Sequence, residues 1–177
     1  MKKALAIVCL ILTFFVVYFL QADFFTWFTI AGIKPNIFVI LILLIGLFAG
    51  KKLGLIFGLI SGFFLDLLVG RTIGISGIML AMIGLLGEYF DKNFSKESRI
   101  TIMLMVIGCT ILYELGGYLY QIFQWKIHFE MFSFLKILLI EAIYNAIIVI
   151  ILYPIIQKAG YAIENTFKVK NILTRYF

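Results

Sequence analysis

The chain has 177 residues, of which 64% are hydrophobic and 14% charged, whereas an ordinary soluble domain is about 45–50% apolar and about 25% charged. With a mean hydropathy of +1.13, it has too little polar surface to cover a globule in water, which excludes a soluble enzyme, a disordered chain and a disulfide scaffold. The net charge of +6 suits basic loops facing an anionic lipid surface; no nucleic-acid module accompanies it, so nucleic acid is not an expected partner.

A spanning helix needs roughly 20 residues. The apolar runs predict six helices, at about 4–20, 35–50, 53–69, 74–90, 100–120 and 135–156. The first follows Lys2 and Lys3. It is longer than the apolar core of a signal peptide and no small-residue cleavage site follows, so it is expected to stay in the protein. The connection 21–34 carries Phe24, Phe25, Trp27 and Phe28, an interfacial composition. Pro35 is expected to open the second helix, where its missing N–H costs nothing, with Asn36 behind it. Lys51 and Lys52 make a tight basic turn. The third helix contains Asp66, and Arg71 sits in the short connection after it.

The stretch 88–99, EYFDKNFSKESR, is the clearest polar loop. Glu114 lies in the fifth helix, and Trp125, Lys126 and His128 in the connection 121–134. The sixth helix contains Glu141 and Asn145, and Pro154 is expected to kink or end its last turn. The remainder, 157–177, mixes Lys158, Lys168, Lys170 and Arg175 with apolar residues. It is expected to lie as a basic helix on the membrane surface or to fray into solvent. The chain thus reads as one integral membrane domain, 1–177: an all-α, compact bundle of six transmembrane helices.

Lysine and arginine set the orientation. Lys34, Arg71, Lys126 and Lys136 fall on one side of the six predicted spans and all the others on the opposite side. Both termini are therefore expected in the cytoplasm, with Trp27 and Trp125 at the outer interface.

Few residues are equipped for chemistry. Cys9 and Cys109 lie in apolar runs and read as small buried hydrophobes. His128 has no ligand-type neighbours at metal spacing, and no phosphate loop, zinc motif or nucleophile elbow occurs. Neither a metal, a cofactor nor catalysis is expected. The exceptions are Asp66, Glu114 and Glu141, acids inside predicted spans, where a charge is expensive and defaults to a functional hypothesis. All three fall within about 5–9 Å of the outer boundary at 1.5 Å per residue. Lys34, Arg71 and Lys136 are the cations placed to pair with them. The acids read either as a ligand, proton or partner site opening outward, or as interhelical hydrogen bonding and capping. Acid–base work on a lipid would need two of them close together, facing a cavity.

Glycine is the second feature: ten of the 15 glycines lie between Gly46 and Gly87. Gly54, Gly58 and Gly62 recur every fourth residue, Asp66 continues the spacing, and Gly70 and Gly74 keep it beyond the helix. Small residues so spaced line one helix face and admit a second backbone, from the same chain or from a partner.

The Pro35-Asn36 pair and the run GLIFGLISGFFLDLLVGRTIG, with Gly58, Gly62, Asp66, Leu67, Leu68, Gly70 and Gly74 in place, resemble the bacterial rod shape-determining MreD family. The specific likeness covers 35–89; helices one, five and six match in hydropathy. Arg71-Thr72 stands where the family often has a small or apolar residue with proline. The resemblance implies an inner-membrane component of the cell-elongation machinery. It would associate with MreC, a single-pass protein, and through it connect MreB filaments to the polymerase RodA and its penicillin-binding partner. The implied fold is similar to the substrate-binding subunits of energy-coupling-factor vitamin transporters. The expected function is a non-catalytic scaffold; the alternative is a small-molecule, vitamin-type binding subunit of a transporter.

Overall fold

The computed structural model describes residues 2–69, 74–125 and 130–168. Among these the chain is helical, apart from turns and one isolated bridge between Ile30 and Ile33. We number six helices: α1 Lys2–Phe19, α2 Ile37–Ala49, α3 Lys51–Val69, α4 Ile75–Asn93, α5 Arg99–Trp125 and α6 Met131–Phe167. A π-helical turn, Leu20–Phe24, and a short helical turn, Phe25–Trp27, extend α1.

The centre of the bundle is α2. It is apolar all round, a pattern that belongs inside a protein, and Phe38, Val39, Ile42, Leu43, Leu47 and Phe48 are fully buried in it. Around it pack α3, α4, α5 and α6, while α1 lies at the periphery. That position corrects one expectation: Cys9 is exposed on α1, whereas Cys109 is buried on α5.

Among the described residues, three helical stretches are long and apolar enough to cross a membrane: Lys3–Trp27, Arg99–Gln124 and Met131–Phe167. The 13 residues of α2 rise only about 20 Å, short of a hydrocarbon core of about 30 Å. The 19 residues of α3 and of α4 reach about 28 Å.

Three expected boundaries move. Asn36, not Pro35, is the residue flanking α2, and its Oδ1 accepts from the Val39 N–H at 3.4 Å. The polar stretch 88–99 is mostly helix, because α4 runs on to Asn93 and α5 starts at Arg99. Pro154 neither ends nor shortens the last helix: α6 is continuous over 37 residues. A proline inside such a helix is tolerated where neighbours satisfy the freed groups.

Of the stretch 157–177, expected to lie on the membrane surface or fray, the part to Phe167 is helical and this helix end is docked on the bundle, while 169–177 lie outside the described residues. Lys168 Nζ donates to the Leu47 carbonyl at 2.6 Å and pairs with Asp91 at 2.5 Å. Lys96 Nζ bridges Asp91 and Glu164, both at 2.6 Å. Gln157 Nε2 donates to the Lys96 carbonyl at 2.6 Å, and the Tyr153 hydroxyl to that of Glu97. Gly160 lies flat against the Phe48 ring. Asp91 is beyond the span expected at 74–90. Burial pushes its carboxyl upward, but the ammonium groups of Lys168 and Lys96 outweigh this and hold it below the usual aspartate range. Burial likewise disfavours the Lys96 charge, and Asp91 and Glu164 outweigh it, raising that ammonium above its ordinary range.

Candidate functional site

Two features from the sequence, the glycine run and Asp66, meet at α3 and α4. The glycines form a seam inside the chain. A Cβ at Gly54 would stand 2.6 Å from the Gly84 carbonyl oxygen, one at Gly58 would stand 2.5 Å from that of Leu80, and one at Gly87 2.6 Å from that of Leu43. Gly62 meets the backbone of Gly77, and Gly46 that of Gly84. The four-residue spacing keeps these positions on one face, and missing side chains let the backbones touch. The stripe is thus consumed by packing α3 on α4 and α4 on α2, so a partner helix has no access to it. Gly74 is not part of the seam. It has open space around it and sits at φ +101°, a left-handed conformation that favours glycine, just before α4. Gly70 and Arg71 lie outside the described residues, as do Lys126 and His128.

Asp66, near the end of α3, is buried. Its Oδ2 accepts from the N–H of Gly74 at 2.7 Å and of Ser76 at 3.1 Å. One carboxylate thus caps the start of α4, where unpaired amides and the helix dipole favour negative charge. The Tyr113 hydroxyl reaches Ser76 Oγ at 3.2 Å, which ties α5 into the same corner. Tyr113 is also within electrostatic reach of Asp66, Glu114 and Glu141.

Glu114 of α5 and Glu141 of α6 lie near each other, and Asn36 lies near Glu141. Glu141 is buried, and its Oε1 has no hydrogen-bond partner among the described residues. Of the expected cations, Lys34 and Lys136 are not the partners, and Arg71 lies outside the described residues. Lys34 Nζ donates to Thr26 Oγ1 at 3.3 Å, and Lys136 is exposed and in none of the ion pairs among the described residues.

Sequence reasoning missed two amides. Asn145 of α6, fully buried, accepts from the Asn36 N–H at 2.8 Å and donates to Thr110 Oγ1 of α5 at 2.9 Å. Gln21, in the turn after α1, donates to the Pro35 carbonyl at 2.8 Å and accepts from the Ile37 N–H at 3.0 Å. Together they satisfy the open backbone at the start of α2, a partly buried helix end. Lone amides in apolar runs were the available signal. The Pro35-Asn36 pair is therefore the point where the α1 extension, α2, α5 and α6 are pinned together.

The protein surface carries two apolar grooves along α3. One, about 380 Å³, is lined by Leu59, Ile60, Phe63, Phe64 and Leu67. The other, about 280 Å³, is lined by Lys51, Lys52, Leu55, Ile56 and Leu85. Neither has Glu114 or Glu141 in its wall.

The family model described as rod shape-determining protein MreD matches residues 1–159. The chain belongs to that family. Its membership carries a role in rod-shape determination and a place in the membrane, in agreement with the apolar helices. It lends no support to the vitamin-binding alternative. No curated protein and no solved structure matches the chain.

Proposed function

We propose that this protein is a non-catalytic scaffold of the bacterial rod-shape machinery, set in the inner membrane with six crossings and both termini cytoplasmic. It docks the single transmembrane segment of an MreC-like partner and so couples peptidoglycan synthesis by RodA and its penicillin-binding partner to MreB. Its fold is similar to that of transporter substrate-binding subunits. The observation that carries the reading is the family match over residues 1–159. The inward use of Asp66 and the glycine seam refines it: the partner meets side-chain surface, and the groove of Leu59, Ile60, Phe63, Phe64 and Leu67 is the docking face. Apolar contact of this kind binds helices in lipid through close packing.

The test is co-purification with an MreC-like protein, combined with complementation of a deletion strain. Ile60→Trp, which fills the groove, is expected to lose the partner and leave cells round while the protein stays folded. Retained partner and normal rods in that variant would move docking elsewhere. Rod shape unaffected by the deletion itself would overturn the scaffold reading.

A further inference from the structure

The second groove has a composition the scaffold reading does not use. Lys51 and Lys52 open α3 and are exposed. Neither ammonium takes part in an ion pair among the described residues. Leu55 and Ile56 follow one turn along, about 6 Å deeper, and Leu85 of α4 forms the opposite wall. Beside the groove, Gly54 and Gly84 touch backbone to backbone, which brings the neighbouring Leu55 of α3 and Leu85 of α4 together. Farther along α4, Tyr89 and Lys92 are exposed at the level of the lysines. Glu88 is the nearby acid, and it is occupied: Oε1 pairs with Lys92 at 2.8 Å, and Oε2 accepts the Lys51 N–H. The mouth of the groove therefore carries three cations against one acid, above an apolar trough of Leu55, Ile56 and Leu85.

We propose that this groove is a binding site for an anionic phospholipid, whose phosphate sits between Lys51 and Lys52 and whose acyl chain lies against Leu55, Ile56 and Leu85. Charge complementarity selects the headgroup, since lysines at a membrane surface favour anionic lipids. The apolar trough directly beneath selects a lipid over a soluble phosphate. The site would fasten the α3–α4 pair to the leaflet on the side of the bundle that holds the docked end of α6.

The experiment adds phosphatidylglycerol, phosphatidylcholine or inorganic phosphate to the delipidated full chain, reading melting temperature and lipid retained in native mass spectrometry. Phosphatidylglycerol is expected to stabilise the protein and to be retained; the other two are not. In the double variant Lys51→Gln/Lys52→Gln, apparent affinity is expected to fall roughly 30-fold. Lys51→Arg/Lys52→Arg keeps binding, which separates lost charge from a damaged fold. Ile56→Trp, with charge unchanged, loses it, and Lys158→Gln keeps it. Equal effects of phosphatidylcholine, reproduction by inorganic phosphate, or undiminished binding in the double glutamine variant would each overturn the proposal.

Discussion

At the scale of single residues, the scarce polar side chains inside the bundle act mostly on backbone. Asp66 holds two amides at the start of α4. Its replacement by alanine should cost about 1–2 kcal/mol, the usual worth of a helix cap. Melting in detergent will read this, with Asp66→Asn recovering part of the loss; an unchanged melting temperature in Asp66→Ala would refute the capping role. Asn145 serves two partners in a dry interior. Asn145→Leu leaves the Asn36 N–H without an acceptor and should destabilise by roughly 2–3 kcal/mol. Wild-type stability in that variant would show that the amide satisfies nothing essential. That Asp66 continues the glycine register was legible in the sequence. What it binds was not, because Gly74 and Ser76 become partners only after the chain turns back.

Elements come next, and here the glycine seam and the docked helix end separate two kinds of stability. Seam glycines are held by backbone-to-backbone contact. A methyl group at Gly84 would drive into the Gly54 carbonyl, so Gly84→Ala should cost about 1–3 kcal/mol through overpacking. Gly108, on α5, has open space where a Cβ would go. Gly108→Ala should stabilise by about 0.5–1 kcal/mol, since alanine loses less conformational freedom in a helix. Thermal melts of the two alanine variants should thus shift in opposite directions; a parallel shift would contradict the seam. The end of α6 is held by charge instead. Asp91 has its folded value below the ordinary 3.8, so its stabilising share is full above that value and is lost as pH falls through the folded one. Lys96 is raised above 10.5, so its share is full below that and fades as pH rises past it. The melting difference between wild type and Asp91→Asn should therefore be constant from about pH 5 to 9 and shrink below about pH 4. A difference unchanged down to pH 3 would remove the ion pairs from the account.

For the whole molecule, orientation is the open physical prediction. The lysine and arginine asymmetry predicts both termini in the cytoplasm. A fluorescent protein fused after Phe177 should fluoresce, and alkaline phosphatase inserted at 126–129 should be active. The opposite pair of results would invert the topology. Hydropathy alone established a helical membrane protein, because a chain with this little polar surface has no other stable solvent. The Pro35-Asn36 pair and the glycine and Asp66 register, local patterns readable in one dimension, carried the resemblance to the family that the match over residues 1–159 shows. Tertiary structure decided how those residues are used. Apolar residues facing lipid and apolar residues facing protein look alike in a sequence, so the burial of α2 and the peripheral position of α1 could not be read there. The helix pairings were equally hidden. Gly54 finds Gly84, Asn36 finds Asn145, and Lys168 reaches Leu47 across 121 positions. Such contacts form only when the bundle closes and each buried polar group must take whichever partner the packing brings within reach.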